Sequence, residues 1–365
     1  MTPNNLTTIR YAGSKSKILY KINDILRSVD YDKVLDAFSG SGKVSSYFKY
    51  MGKKVHANDL AVYSKVINET HLLGSNNRNK IEKQIDYLNK LEPKRGWYTE
   101  NYGGEYNNGM SLQNDGYKKP FYINVSMKLD AIRDEIDVLY PEECIDKSIL
   151  ITSLMKALDL RCNDLGHHVS YLKKWTKGSL KPLVLEYPAF NAYCSDHVVT
   201  NFDVFNLNGE YDLAYFDPPY GTANTKTPTS RVRYFSYYHL WTTIVLNDKP
   251  SLFGAAKRRE DVSSDTKPGA ISPFESTDEN VVIDAFNNLF NSINSKYYLV
   301  SYSNRSKLSM PKLIDICKQH GDIITIESFK HAPNSQSNTV SHGDYKINYE
   351  EDNLEFLVLL KTKQK

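Results

Sequence analysis

Apolar positions follow a strand-and-helix alternation at both ends of the chain and a helical pattern between them. Ile18, Ile22, Ile25 and Val29 recur at helical spacing and predict a helix to about Ser28, with Ser14 or Ser16 placed to cap it. A short buried strand from Val34 runs into the turn Ser39-Gly40-Ser41-Gly42. Val44, Tyr47, Phe48 and Met51 then mark one face of a helix that Gly52 closes. A second strand, 54–57, ends in Asn58-Asp59. Strand, glycine turn and helix form the first unit of a doubly wound sheet. From 61 to 195 the alternation is interrupted. Ile132, Ile136 and Leu139, then Ile149, Leu154, Ala157 and Leu158, repeat at helical spacing, behind a loop-like tract from about 93 to 120. The alternation returns near 196, with helices expected over 282–293 and 312–319 and strands over 297–302, 323–327 and 354–360. An exposed loop is expected to begin at Lys257-Arg258-Arg259. The expected fold is α/β: a doubly wound, Rossmann-like sheet from 1–60 and 196–365, with a mainly helical insertion at 61–195.

One stretch, 211–221, carries the chemistry. The apolar run Leu213-Ala214-Tyr215-Phe216 reads as a buried strand, and Asp217-Pro218-Pro219-Tyr220 ends it. Pro218 has no N–H and disfavours helix at Asp217, so the strand stops there. Open α/β sheets bind ligands at such C-terminal strand edges. The Asp217 carboxylate and the Pro218 carbonyl then form a rigid acceptor pair beside the Tyr220 ring, suited to an exocyclic amine on a stacked base. The bland alternative is a Pro-Pro turn after a core strand.

Other stretches admit two readings each. Gly40-Ser41-Gly42-Lys43 suggests a phosphate loop, but that pattern needs glycine where Ala37 stands and Ser or Thr where Val44 stands; the dinucleotide pattern lacks its third glycine. Asp59, about 20 residues past the glycines, lies where such folds hold ribose hydroxyls, or else caps the next helix. Tyr11 and Lys15 can meet a flat adenine and a carboxylate, or simply solvate a surface. Phe202 and Asp203 can clamp and read an adenine, or form a turn. Residues 166–181 interleave Lys173, Lys174, Lys177 and Lys181 with Trp175, fitting a nucleic-acid backbone or a solvated basic face equally. His167 and His168 lack further partners at zinc spacing, so no metal is expected. A polar, basic loop after Tyr220 carries Arg231 and Arg233 and is expected to close over DNA.

Composition narrows the class. The chain has 365 residues, 40% of them hydrophobic and 24% charged, in the range of soluble globular proteins. The net charge of +3 is close to balance, so a nucleic-acid partner must be argued from local patches. Four widely spaced cysteines form no disulfide framework, and no apolar stretch approaches the roughly 20 residues of a membrane span. No signal-peptide pattern is seen, and a cytoplasmic monomer is the expectation.

In their order along the chain, these parts resemble the Dam-like, D12-class (α-group) adenine-N6 DNA methyltransferases. Tyr11-Ala12-Gly13-Ser14-Lys15 comes first, then the turn from Asp36 to Gly42, Asn58-Asp59, an insertion, Asp217-Pro218-Pro219-Tyr220, and Ser301-Tyr302-Ser303-Asn304. The resemblance implies a methyltransferase using S-adenosylmethionine on double-stranded DNA. It implies cofactor contacts at Tyr11, Lys15, Asp36, Phe38, Gly40, Gly42, Asp59, Phe202 and Asp203. Catalysis falls to Asp217, Pro218, Pro219 and Tyr220, and target recognition to the insertion, with DNA contacts expected at Lys173, Lys174, Arg231 and Arg233. A cognate restriction endonuclease is a possible partner. The alternatives are cytosine-N4 methylation and a silent DNA-binding relative.

Overall fold

The computed structural model describes residues 9–11, 13–188, 196–220, 234–262, 272–330 and 354–363. Among these, seven strands form one sheet: β1 (Lys33–Asp36), β2 (Lys54–Asn58), β3 (Val198–Thr200), β4 (Glu210–Phe216), β5 (Asn294–Ser303), β6 (Gly321–Lys330) and β7 (Leu354–Thr362). Their spatial order is β6-β7-β5-β4-β1-β2-β3. Strands β3, β2, β1, β4 and β5 pair in parallel, and β7 runs antiparallel to both β5 and β6. From β1 the chain steps outward through β2 to β3, then returns to β4 and builds the other side. The order therefore reverses between β1 and β4, and the crevice beyond their C-terminal ends is the place for a ligand.

The helices are α1 (Leu19–Leu26), α2 (Lys43–Tyr50), α3 (Val62–Asn68), α4 (Arg78–Lys90), α5 (Trp97–Tyr102), α6 (Ile123–Leu139), α7 (Ile145–Asp159), α8 (Tyr234–Tyr237), α9 (His239–Leu246), α10 (Glu279–Ser292) and α11 (Met310–His320). Alternation along the strands builds two sheet cores. Ala214, Phe216, Val358 and Leu360 pack with α10 and α11 on one face. Leu213, Tyr215, Leu357 and Leu359 pack with α1 and α2 on the other. Both faces are covered, which is why β4 and β7 read as continuous apolar runs. The α/β, doubly wound reading therefore stands.

A third core belongs to the helical body. Residues of α3 to α7 surround Tyr238, Leu240, Trp241 and Ile244, so α9 is enclosed by the 61–195 segment although it lies beyond β4 in sequence. Arg133 makes the join. It is 1% exposed, and its Nε and Nη2 donate to the carbonyls of Ile244 and Val245 at 2.6 and 2.8 Å. Those carbonyls end α9 and lack helical partners, and a cation suits that end of the helix dipole. Asp137 pairs with the same guanidinium at 2.7 Å.

Several local expectations differ. Neither Ser14 nor Ser16 caps α1, because their hydroxyls pair with each other at 2.9 Å and Ile18 stands at the N-cap. The 93–120 tract contains α5. Arg259 is not in an exposed loop: it closes a short hairpin and is 3% exposed, forked onto Asp248 with both bonds at 2.7 Å. Residues 221–230, Arg231 and Arg233 lie outside the described residues. No helix among the described residues is long and apolar enough to cross a membrane.

Arg133→Met should leave two buried carbonyls without donors and cost about 3 kcal/mol. Urea unfolding measures this, and a loss below about 1 kcal/mol would contradict the joining role.

Candidate active site

Four strand ends meet the N-terminal segment in one cavity of about 190 Å³. Ala37 and Phe38 follow β1, Asn58 and Asp59 end β2, and Asp217, Pro218 and Pro219 follow β4. Phe202 to Phe205 follow β3, and Tyr11 and Lys15 come from the N-terminal segment. Tyr63, Tyr234 and the run from Ser272 to Glu275 complete the wall. Of the sequence candidates, Tyr11, Lys15, Phe38, Asp59, Phe202, Asp203, Asp217, Pro218 and Pro219 line this cavity. Asp36, Gly40, Gly42 and Tyr220 do not line it.

Each is positioned by local physics. Gly42 stands at the N-cap of α2 with φ 75°, and Gly40 has φ 49°. A Cβ on Gly40 would stand 3.0 Å from the Tyr11 ring, so this glycine lets that ring lie against the turn. Tyr11 stacks on Tyr238 at 4.6 Å between centroids, which ties the cavity to the helical body. Arg10, next to it, donates to Asp159 and pairs with Asp164 at 3.0 Å. Asp59 accepts the Gly40 N–H at 2.7 Å with one oxygen and the Ala61 N–H at 2.9 Å with the other. It thus serves the amide entering α3 and faces the cavity at once. Burial raises its pKa, and the amide hydrogen bonds oppose this. Asn58 clamps the Phe202 peptide, accepting its N–H and donating to its carbonyl, both at 3.1 Å. The Phe202 ring is left 55% exposed at the rim. Asp203 accepts the Phe205 N–H at 3.1 Å, capping a short 3-10 turn, so the turn reading holds for one of its oxygens. Phe274 stacks on Phe205 and meets Phe38 edge-on.

At the β4 corner, Lys15 is 5% exposed. Its Nζ stands 3.0 Å from Asp217 Oδ1 and 2.5 Å from Glu355 Oε1, and 5.7 Å from the centre of the Tyr220 ring. Burial opposes the charge on Lys15, but Asp217, Tyr220 and Glu355 outweigh it and hold its pKa well above the usual value. Burial pushes Asp217 up to about 6; Lys15 pulls it down and Glu355 adds to the rise. Tyr220 meets Tyr302 edge-on at 5.5 Å. Asp36 lies beneath, fully buried, with Ser45 Oγ donating to Oδ2 at 2.6 Å and no hydrogen-bond partner for Oδ1 among the described residues. Burial pushes it up to about 7.

Lys173 and Lys174 are exposed and do not line the cavity. Their loop is stitched to a neighbour by Ser111 N–H donating to the Lys173 carbonyl and by a bridge between Met110 and Lys174. His168 is buried, and its Nε2 stands 3.5 Å from Asp164, beside Cys162. Cys162, Asp164 and His168 thus bring one potential ligand atom each within 4.8 Å of the others, a grouping that spacing along the sequence did not show; Arg10 pairs with Asp164 at 3.0 Å, and burial raises the pKa of the Cys162 thiol. Sequence reasoning missed Asn58, Tyr63, Tyr234, Glu275 and Glu355. Glu355 had a signal, a lone acid inside the apolar run 354–360.

The family model described as D12 class N6 adenine-specific DNA methyltransferase matches residues 11–304. The chain belongs to that family. Relatives include the modification methylase LlaI of Lactococcus lactis subsp. lactis, 28% identical over 93% of this chain and 53% of that protein. Another is the type II methyltransferase M.NlaIII of Neisseria lactamica, 26% identical over 87% of this chain and 91% of its own length. The modification methylase StsI of Streptococcus sanguinis is 28% identical over 85% of this chain and 46% of its own. The chain thus spans about half the length of LlaI and StsI.

Asp36 predicts a pH signature. Its folded pKa is raised, so between its unfolded value near 3.8 and about 7 the folded state binds the extra proton. Stability then falls as pH rises through that window. Asp36→Asn removes this dependence, and its advantage over wild type should grow by about 1.4 kcal/mol per pH unit across the window. Urea midpoints at pH 5, 6 and 7 measure this; a constant difference would contradict it.

Proposed function

We propose that this chain transfers a methyl group from S-adenosylmethionine to N6 of an adenine flipped out of double-stranded DNA. The observation that carries the reading is that the Asp217-Pro218-Pro219 corner opens on the same cavity as Asp59 and Phe202. The donor set fits the cofactor. Asp59, Asp203, Asp217 and Glu275 bring carboxylates to the wall against the single cavity-lining ammonium of Lys15 among the described residues, and such a wall favours a cationic ligand. Asp59, fixed through both oxygens by amides, keeps lone pairs for ribose hydroxyls, while Phe202 and Phe38 offer faces to an adenine. When bound, the cofactor supplies an electrophilic methyl carbon whose bond to sulfur breaks as the new N–C bond forms, the electron pair staying on sulfur.

The chain's own part is to orient the amine. An adenine amine inside the duplex is out of reach, so the base must leave the stack. Tyr220 stacking offsets the unstacking cost by about 1–3 kcal/mol. Asp217 and the Pro218 carbonyl accept hydrogen bonds from N6 and direct its lone pair, and much of the acceleration is alignment. Lys173 and Lys174 supply phosphate contacts from the insertion, which acts as the target-recognition region, and such contacts fix register without reading sequence. Arg231 and Arg233, in the segment after Tyr220, would add to them. The names of the relatives suggest a place in a restriction-modification pair, with a cognate endonuclease as the natural companion.

Asp217→Ala should keep cofactor affinity within a few-fold and lower methyl incorporation from labelled cofactor into mixed-sequence DNA by at least about 100-fold. Near wild-type turnover would sink the assignment. Nucleoside digestion of the product should give N6-methyladenine; N4-methylcytosine would instead support the alternative substrate. Asp59→Ala should weaken cofactor binding about 10-fold or more by calorimetric titration, and unchanged affinity would remove the ribose role.

A further inference from the structure

Glu355 has no part in the reading of the cavity given above, yet it touches the catalytic corner through one intermediary. It sits on β7, the antiparallel strand, and is 5% exposed. Lys15 Nζ donates to its Oε1 at 2.5 Å, and Ser301 Oγ on β5 donates to the same oxygen at 3.2 Å. The same ammonium reaches Asp217 at 3.0 Å. A buried ammonium is thus shared between two buried or half-buried carboxylates, which leaves the trio with a net negative charge. A carboxylate buried in a strand costs stability unless its partners compensate. A strand leucine would suit the surrounding apolar run better, so the acid points to a role beyond packing.

We propose that Glu355 is a positioning residue for the transfer reaction, acting through Lys15: it fixes where the ammonium stands and how much of its charge Asp217 feels. This rests on the methyl-transfer reading. A lysine paired with Asp217 alone would neutralise it and hold it as a weak proton acceptor. With Glu355 drawing on the same ammonium, Asp217 keeps more of its basicity. As N6 bonds to carbon it must shed a proton. The Asp217 carboxylate takes that proton, becomes a neutral carboxylic acid and later releases the proton to water. The rise of Asp217 to about 6 agrees with this arrangement, burial being its first cause and Glu355 adding to it.

Other groups facing Asp217 do not confuse the test. Tyr215, Tyr220 and Tyr234 all have raised pKa values and stay neutral below pH 9. Asp36, itself pushed up to about 7, is common to every variant, so differences between variants isolate Glu355 and Lys15.

The test reads Asp217 directly and then the reaction. In the ligand-free protein carrying 13C-labelled aspartate carboxyls, the Asp217 resonance is assigned by its loss in Asp217→Asn and titrated from pH 4 to 9. Glu355→Gln should move its midpoint down by about one unit, and Lys15→Met should move it up by a similar amount. Glu355→Asp, which keeps the charge, should leave the midpoint within about half a unit of wild type. In single-turnover methylation, Glu355→Gln should shift the acid limb in the same direction and lower the plateau a few-fold, with cofactor Kd unchanged. An unmoved or raised midpoint in a folded Glu355→Gln protein would overturn the inference. If Glu355→Gln does not fold, Glu355→Asp and Lys15→Met decide it, and a Lys15→Met midpoint that fails to rise would overturn it. If the wild-type protein methylates no DNA, the proposed function falls, while the titration still decides the role of Glu355 at Asp217.

Discussion

The ammonium of Lys15, buried between Asp217 and Glu355, ties together three parts of the chain, two of them 340 residues apart. One part is the N-terminal turn, one the end of β4, and one the antiparallel strand β7. Each of these charges would be costly to bury alone, and together they are tolerated only in this arrangement. The contact therefore fixes where Tyr11 and Lys15 enter the cavity, and with them one wall of the site.

The sheet explains why the contact lies where it does. Reversal of strand order between β1 and β4 opens a crevice beyond their ends, and the turn after β1 and the proline corner after β4 face each other across it. The N-terminal segment is held over that crevice from the other side. Arg10 is fastened to Asp159 and Asp164, and Tyr11 is stacked on Tyr238. The helical body, joined to α9 by Arg133, thus lines the cavity itself at Tyr63 of α3 and also holds Arg10 and Tyr11 in place. A shift of that body on a duplex would be felt at Tyr11, four residues from Lys15.

What the sequence made legible was local. Strands that end in glycine, proline or an acid announce their ends, so the turn after β1, Asp59 after β2 and the corner at Asp217 could all be placed on strand tips from the pattern alone. The doubly wound sheet followed from their order. Contacts between distant segments were not legible. Nothing near Lys15 shows that its partners are Asp217 and Glu355, and nothing near Arg133 shows that it ends α9. Helix α9 was itself missed, because it is buried on most sides and its Thr242, Thr243, Ile244 and Val245 lack a helical period and favour strand. The hydroxyls of Ser14 and Ser16 satisfied each other instead of the helix, a choice that spacing cannot foresee.

A structure with a donor analogue bound is the most direct test of the central claim, that the proline corner after β4 presents a base amine to the donor's reactive carbon. The expected result has ribose oxygens on Asp59 and the sulfur end turned to the Pro218–Pro219 corner, so that an amine held by Asp217 would stand about 3–3.5 Å from the transferring carbon. A donor seated with its sulfur end away from that corner would contradict the account.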